Sequence, residues 1–370
     1  MKSHRNLDGL PPIKVVGVGG AGSNAVSRMA AEPSAGVQLV AVNTDGQALL
    51  HTAADIQIRI GDKLTKGLGA GGDPARGLRA AEESIEELRE AVRDAEMVFV
   101  TAGMGGGTGT GAAPVVAEVA REAGALTIGV VTRPFAFEGV RRAERAEAGI
   151  RELQDRVDTL IVIPNDRLLS ICDKNASLED AFRTADDVLR QGIQGISEII
   201  TLAGIVNLDF ADVRRIMNEA GPAILAIGHG RGDDRAAEAA RDAIDSPLLD
   251  VSIRGARGVL FNVVGSSLTL QEVHQAAQVI AAVVDPDAEI VFGAATDPGL
   301  GDAVKVTVIA TGFAPKGESI EAYEVEADYA PDDVPAAYPS PLSQDAFPAV
   351  DMELPAFLRR NVHARSLRDG

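Results

Sequence analysis

The chain has 370 residues, of which 46% are hydrophobic and only 4% aromatic, so it can bury one large aliphatic core or two smaller ones. Its formal net charge of −19 argues against a protein that coats DNA or RNA, because such a protein must supply cations to the phosphates. A single cysteine, no signal-peptide pattern and no apolar run of membrane-spanning length together predict a soluble cytoplasmic protein without disulfides.

Between residues 13 and 165, short apolar runs alternate with helical patterns. One of these helices opens at Asp73 and Pro74, where the aspartate caps the helix and the proline takes its first position. Strands and helices that alternate at this spacing indicate βαβ units and a mostly parallel sheet. The predicted strands cover residues 13–18, 37–42, 56–60, 97–102, 126–131 and 160–164.

The fourth predicted strand runs into a glycine-rich loop, residues 103–111, and this loop runs into a predicted helix. Glycines in this position let backbone amides turn inward around an anion, and the helix N-terminus adds its partial positive charge. Thr108 and Thr110 add hydroxyl groups without bulk. The alternative is a merely flexible turn, but flexible linkers rarely join two well-formed elements. The loop therefore predicts a phosphate-binding site.

The first strand runs into a second glycine motif, in which Gly17, Gly19 and Gly22 fit the dinucleotide-binding pattern, and Asp45 follows where a ribose-binding acid would lie. Taken alone, this motif is typical of a nicotinamide-dependent oxidoreductase. The additional phosphate loop argues against that class, and the isolated histidines offer no evident apparatus for hydride transfer. Neither loop ends in the Gly-Lys-Ser or Gly-Lys-Thr of a Walker P-loop.

A long helical pattern covers residues 178–203 and ends at Gly204. A second alternating block follows over residues 220–312, and its helix at Thr269 opens with a capping box that pairs Thr269 with Glu272. Its predicted strands lie near residues 223–227, 259–264, 290–293 and 304–310.

The composition changes after Gly312. Residues 314–353 are acidic and rich in proline, with almost no periodic apolar pattern, so they predict a disordered linker. An apolar cluster with adjacent arginine follows, which is typical of a partner-docking peptide. The predicted docking residues are Leu354, Pro355, Phe357, Leu358 and Arg359.

Several ordered motifs together resemble one protein family. They are the loop at 103–111, Asn43-Thr44-Asp45, residues 132–139, Pro164-Asn165-Asp166 and residues 207–213. In this combination the chain resembles FtsZ, the tubulin-like cell-division GTPase of bacteria and many archaea, from residue 13 to about 313 and again in the tail. The resemblance implies an α/β fold with a parallel-sheet GTPase domain, a long central helix and a smaller α+β C-terminal domain.

The resemblance also implies a domain organisation for the chain. It consists of a flexible N-terminus (1–12), a GTP-binding domain (13–177), the central helix (178–203), a GTPase-activating domain (204–313), the acidic linker (314–353) and the docking peptide with an extension (354–370).

The resemblance also implies a guanine nucleotide site. Glu138 would hold the ribose, Arg142 would approach nucleotide oxygens, and Asn165 with Asp186 would read the guanine edge. Phe182 would stack on the base or simply pack in the core. Mg²⁺ would be held mainly by phosphate oxygens and waters, with no firm protein ligand and with K⁺ as a further candidate cation. The implied GTP- and GDP-binding residues are Gly20, Ala21, Gly22, Asn24, Asn43, Asp45, Gly103, Gly105, Gly106, Gly107, Thr108, Gly109, Thr132, Pro134, Glu138, Arg142, Asn165, Phe182 and Asp186.

Asp209 and Asp212, with Asn207, are the candidate catalytic residues that the resemblance implies. The simpler expectation is that Asp209 caps the next helix and Asp212 lies in its first turn. However, residue 202 lies roughly 24 Å beyond Asp186 along a helix, so these acids would not reach the nucleotide of their own subunit. They would act on the GTP of a neighbour, where they would polarise the attacking water.

A site shared in this way makes a head-to-tail contact, which produces a filament when it repeats without closing. The resemblance therefore implies GTP-dependent assembly into the cytokinetic ring at midcell, with membrane tethers and regulators bound through the C-terminal peptide. It implies neither nucleic-acid binding nor direct insertion into the membrane. A non-hydrolysing tubulin-like scaffold with another cellular role remains an alternative.

Overall fold

The computed structural model describes residues 11–31, 36–169, 177–201, 204–206, 208–246 and 252–313, all of which fall in one unit, Met1–Glu318. Asn207, the predicted linker and the docking peptide lie outside the described residues, as do residues 202 and 203 at the end of the predicted central helix.

The N-terminal part of the sheet consists of six parallel strands. They are β1 (Ile13–Val18), β2 (Val37–Asn43), β3 (Ile56–Arg59), β4 (Met97–Gly103), β5 (Leu126–Arg133) and β6 (Thr159–Pro164). Their order is β3-β2-β1-β4-β5-β6. The strands coincide with the apolar runs of the sequence, and the prediction of a mostly parallel sheet is confirmed.

Helices connect these strands and cover both faces of the sheet. They are α1 (Gly19–Ala31), α2 (Gly46–Leu50), α3 (Asp62–Thr65), α4 (Pro74–Glu83), α5 (Ile85–Val92), α6 (Thr108–Glu122), α7 (Val140–Gln154) and α8 (Asn165–Leu168). Asp73 caps α4 as expected, since its carboxylate accepts from the Ala75 amide at 3.0 Å. Neighbouring strand residues bury on opposite faces, so Val15 and Val16 belong to different apolar clusters.

The C-terminal part continues the same sheet. Its strands are β7 (Gly221–Gly230), β8 (Gly258–Gly265), β9 (Glu289–Thr296) and β10 (Val304–Thr311). The first residues of β7 pair in parallel with β6, and the rest of β7 pairs antiparallel with β10, which leads to the order β7-β10-β8-β9. The strand β7 thus belongs to both parts of the sheet. The helices here are α10 (Phe210–Met217), α11 (Arg235–Ile244) and α12 (Leu270–Ala281), and α12 opens with the predicted Thr269–Glu272 capping box.

The long helix α9 (Leu178–Thr201) lies between the two parts. Its apolar residues, including Leu189, Ile193 and Ile196, are buried in the same cluster as residues of β5, β6 and β8. Its polar residues form a line of hydrogen bonds at 2.6 to 2.8 Å along the helix. This line runs through Asp187, Arg190, Gln194 and Glu198 to Lys305 of β10.

Candidate functional site

The two glycine motifs pack directly against each other. Gly19 has a φ of +73°, and a β-carbon added there would lie 2.7 Å from the amide nitrogen of Gly109. A β-carbon at Gly22 would collide with the carbonyl oxygen of Thr101. Gly20, in contrast, faces open space. The motifs that the sequence places far apart therefore line one site, and its backbone is open to a ligand at Gly20.

The loop at 103–111 is fixed at one point and open at the next. The Gly105 amide donates to the Thr110 hydroxyl at 2.8 Å, and Gly105 has a φ of +95°, which favours glycine. A β-carbon at Gly106 would meet no atom within 4 Å. The helix α6 begins at Thr108, and its first amides lack partners within the helix. This arrangement suits an anion bound by backbone donors.

The segment after β2 braces this loop from the side. The Thr44 and Thr108 hydroxyls share a hydrogen bond at 2.6 Å, and Thr44 is buried. Asn43 is also buried and accepts from the Asp45 amide at 3.3 Å. One carboxylate oxygen of Asp45 accepts from two backbone amides of α2, at 2.9 and 3.1 Å. Asp45 thus caps a helix beside the site, and its role toward a sugar stays a prediction.

Two buried polar atoms without a partner belong to α1 and α8, two of the helices that follow the strands at the nucleotide end. Asn165 is only 4% exposed, yet among the described residues its Oδ1 has no hydrogen-bond partner, and neither does the buried Ser23 hydroxyl. Asp186, on α9, is also buried. An orphaned buried acceptor is costly unless a ligand supplies the donor. The residues present therefore fit a base that donates hydrogen bonds, as guanine does.

Asp186 is held by two residues of α1. The Asn24 side chain hydrogen bonds to it, and the Arg28 guanidinium lies 3.7 Å from its Oδ2. Burial raises the pKa of Asp186 to about 6, while Arg28 and Asn24 work in the opposite direction. The carboxyl is therefore mostly ionised at neutral pH and can accept hydrogen bonds from a base.

The opposite wall of the site carries cations. Glu138 accepts from the Phe135 amide at 2.9 Å and pairs with the Nε of Arg142, also at 2.9 Å. A cavity of about 490 Å³ opens beside this pair. Its lining includes Gly72, Gly105, Gly106, Glu138, Arg142 and Arg145.

Phe182 lies at the surface of an aromatic group. Its ring meets the Phe135 ring edge-on, with 5.6 Å between the ring centroids. Phe137 stacks on Phe135, with 4.9 Å between their centroids. Because Phe182 is 38% exposed, one part of it packs and another part is free, so both expectations for it stay open. Thr132 and Pro134 lie at and just beyond the end of β5, where the Thr132 carbonyl accepts from the Met104 amide at 3.0 Å.

The candidate catalytic acids lie at the start of α10. Asp209 occupies the position before the first turn of α10, but its side chain makes no capping hydrogen bond. The simpler expectation of a side-chain cap is therefore wrong for Asp209. Asp212 lies in the first turn, as expected, and is half-exposed, 3.4 Å from the guanidinium of Arg215. Arg215 also pairs with Glu289, so Asp212 faces a cation that is already partly neutralised.

The central helix separates the two sets of residues. From Asp186 to Thr201, the last described residue of α9, the axis rises by about 22 Å. The structure thus brings the glycine motifs, Asn24 and Asp186 together and places Asn165 at the start of α8, which packs against α9. It leaves Asp209 and Asp212 at the other end of α9.

Four further residues of the site were not among the sequence candidates. Arg28 lies one helical turn after Asn24, and this spacing could have indicated it. Thr44 belongs to a motif that the sequence did show. Gly72 and Arg145 contact each other across 73 residues of chain, and no local pattern indicates such a contact.

Within the described ranges, no group of three or more histidine, cysteine, aspartate or glutamate side chains is placed to hold a metal ion. In the same part of the chain, every helix is too short or too polar to cross a bilayer.

Comparisons with known proteins agree with this geometry. The GTPase-domain model of the Tubulin/FtsZ family matches residues 12–173, and the C-terminal-domain model of the FtsZ family matches residues 221–314. The chain is similar to an empty FtsZ dimer of M. jannaschii, with 48% identity over 82% of this chain and 88% of that chain, and a TM-score of 0.79.

Two structures from Haloferax volcanii share the fold at lower identity. The GDP-bound monomer of CetZ1 is 23% identical over 82% of this chain and 94% of its own, with a TM-score of 0.72. The GTPγS-bound protofilament of CetZ2 is 20% identical over 83% of this chain and 94% of its own, with a TM-score of 0.70.

Proposed function

Because the chain belongs to the tubulin/FtsZ family of GTPases, we propose that it binds GTP at the joined glycine motifs and assembles head to tail into filaments of the cytokinetic ring. The observation that carries this proposal is the orphaned oxygen of the buried Asn165 on α8, which packs against the helix of the buried Asp186, together with an anion cradle made of backbone. A nucleotide satisfies both at once, since its base donates hydrogen bonds to these residues and its phosphates are the anion that the backbone cradle binds.

The base end selects guanine over adenine. An ionised Asp186 accepts from both the N1–H and the exocyclic amine of guanine, a pair of donors that adenine lacks. Asn24 and Arg28 keep this carboxylate oriented, since each contacts it from α1. An oxidoreductase that binds a nicotinamide dinucleotide would need an adenine site here, and Asp186 does not suit one.

The phosphate end uses backbone and fixed cations. Gly20 and Gly106 offer the open backbone, and Arg142 exchanges its contact with Glu138 for nucleotide oxygens. Mg²⁺ would be held mainly by phosphate oxygens and waters and would neutralise phosphate charge when bound.

Hydrolysis depends on a second subunit. Asp209 and Asp212 lie at the far end of α9, and the side chain of Asp209 is not used as a helix cap. In a head-to-tail contact these acids, with Asn207, reach the GTP of the neighbour and polarise a water against its terminal phosphate. The filament then weakens once that phosphate leaves.

Self-association has support in the relatives. FtsZ of M. jannaschii is recorded as a dimer, and CetZ2 of H. volcanii as a GTPγS-bound protofilament. We extend this to the present chain and to the cytoplasmic ring at midcell, with tethering and regulatory proteins bound through Leu354, Pro355, Phe357, Leu358 and Arg359.

The test is GTP hydrolysis measured against protein concentration, with light scattering from the same samples in Mg²⁺ and either K⁺ or Na⁺. Activity per molecule that rises at a threshold, together with scattering, is the expected result. Activity per molecule that stays constant at every concentration would mean a self-contained site and would overturn the shared-site proposal. Assembly without hydrolysis would favour the scaffold alternative.

A further inference from the structure

A short glycine-rich segment, residues 67–72, forms one edge of the cavity at the phosphate end, and we name it the rim loop. Gly67, Gly69, Gly71 and Gly72 all have φ values between +65° and +84°. Such a backbone is accessible to many conformations in solution, so a defined position requires fixed points. At its first end the loop has several of them, including Gly46 N to Gly67 O at 3.0 Å, Leu68 N to Thr65 O at 3.0 Å and Gly69 N to Thr44 O at 3.2 Å.

At its second end the Ala70 carbonyl accepts from the amide of the helix cap Asp73 at 3.3 Å, and one side chain from another helix also holds the rim loop. The Arg145 guanidinium of α7 donates to the carbonyl oxygen of Gly72 at 2.6 Å. Arg145 and Gly72 both line the cavity of about 490 Å³, together with Gly105 and Gly106 of the phosphate loop. One hydrogen bond therefore joins opposite walls of this cavity.

The rim loop lies at the end of the phosphate loop that is far from the base. A β-carbon at Gly103 would be 2.7 Å from that of Ala21, in the helix that carries Asn24. At the other end, a β-carbon at Gly107 would be 2.8 Å from that of Ala70 and 3.1 Å from the Gly72 amide nitrogen. A nucleotide whose base lies at Asp186 thus directs its last phosphate toward the rim loop.

We propose that Arg145 is a positioning residue that holds the rim loop against the phosphate loop through the Gly72 carbonyl, and so favours GTP over GDP. This inference rests on the proposed nucleotide function. Only a third phosphate extends as far as Gly107 and the rim loop, so the position of this loop affects the triphosphate and leaves the diphosphate nearly unaffected. Arg145 acts on the ligand through Gly72, not by direct contact.

Three variants test this role in the full-length protein. Arg145→Met removes the donor while keeping the length of the stem, and Arg145→Lys restores a donor of similar reach. Arg151→Met is the matched control, since Arg151 is an exposed arginine of α7 outside the cavity lining. The probes are GDP and the slowly hydrolysed analogue GTPγS, and hydrogen exchange of residues 67–73 is followed in the GDP-bound state.

We expect Arg145→Met to raise the dissociation constant for GTPγS about five- to tenfold and that for GDP less than about twofold. Amide exchange at residues 67–73 should increase in the same variant, Lys should recover most of both effects, and Arg151→Met should change neither.

Equal weakening for both nucleotides, or no change, would overturn the inference while leaving the proposed function intact. If Arg145→Met weakened GTPγS binding selectively but left amide exchange at residues 67–73 unchanged, the inference would also be overturned. Arg145 would then act directly on the phosphate. Failure of the unmodified protein to bind either nucleotide would overturn the proposed function as well.

Discussion

The two ends of α9 are built from different chemistry. At the end with Asp186, glycines approach other backbone atoms so closely that a β-carbon would collide, and Asn165 and Asp186 are buried. At the other end, the acids of α10 are side chains near the surface, and Asp209 makes no capping bond. The first end is preorganised within one chain, whereas the second presents acids near the surface, of which Asp212 pairs with Arg215 and Asp209 makes no capping bond.

This difference separates binding from chemistry. A backbone cradle with buried partners can hold a nucleotide without help, because its donors are fixed before the ligand arrives. Exposed carboxylates gain catalytic value only when a substrate is brought to them. We therefore expect substitutions at the two ends to affect different steps, and the predictions below use that expectation.

The largest effect should come from Asp212→Ala, which removes an acid of the second end. Turnover should fall by about a hundredfold or more, the range typical for loss of a general base, while the affinity for GTP stays within about twofold. Steady-state hydrolysis and nucleotide titration measure the two quantities separately. Unchanged turnover would exclude the role assigned to this acid.

A mixing experiment sharpens the same comparison. Asp212→Ala keeps an intact nucleotide site, whereas Asp186→Ala keeps the acids and loses the base contact. At a GTP concentration that leaves the weakened Asp186→Ala site mostly empty, each variant alone should be nearly inactive. An equimolar mixture should recover a measurable share of activity, because acids of one subunit can serve the nucleotide of the other. A mixture no more active than its components would contradict a shared site.

The next effect concerns the affinity for the nucleotide. Asp186→Ala should weaken GTP binding about 10- to 100-fold, since hydrogen bonds to a charged group contribute roughly 1.5–3 kcal/mol. Binding of the unmodified protein should also fall as the pH drops below about 6, because protonation of Asp186 removes the acceptor. Titrations between pH 5 and 8 measure this, and a flat profile would exclude Asp186 as the reader of the base.

The stability of the nucleotide-free protein should also depend on the protonation of Asp186. Here protonation is favourable, whereas it weakens GTP binding. The pKa of Asp186 is raised to about 6 in the folded state, so the folded state binds the proton more tightly than the unfolded state does. Proton binding by Asp186 therefore stabilises the folded state at pH 4, and this stabilisation is lost as the pH rises through 6. Asp186→Asn should therefore raise the free energy of unfolding at pH 7 by about 1–3 kcal/mol, as measured by denaturant titration without nucleotide.

The smallest effect should come from Thr269→Ala, which lies outside both ends. Its hydroxyl accepts from the Glu272 amide at 3.2 Å as half of a capping box, so its loss should lower the free energy of unfolding by about 1 kcal/mol. GTP affinity and turnover measured below saturation of assembly should not change. A loss of GTP affinity or turnover that accompanies the loss of stability would mean that the two ends of α9 are not as separate as the structure indicates.

Local patterns made much of this molecule predictable. The strands β1 to β6 follow apolar runs bounded by glycine or proline, and the Asp73 and Thr269 caps follow from residues a few positions apart. The long-range contacts were not predictable in this way. The continuous sheet depends on β7 meeting β6 across about sixty residues, and Arg145 meets Gly72 across 73 residues of chain.

The site shows the same division. Glycine spacing indicated both cradle segments, but it could not show that Gly19 packs against Gly109 or that Arg28 pairs with Asp186. The expected cap at Asp209 failed because a suitable residue type at the right position does not fix the side-chain rotamer.

The shared strand β7 has a consequence for how the chain is made. During synthesis the residues of β1 to β6 leave the ribosome first, and one edge of β6 then has no neighbour until Gly221–Ala223 follow it. An open edge of an apolar parallel strand is a template for pairing with other chains. Translation speed between residues 164 and 221 therefore sets how long a nascent chain is exposed to aggregation, and a pause placed after Ala223 should be safer than one placed before it.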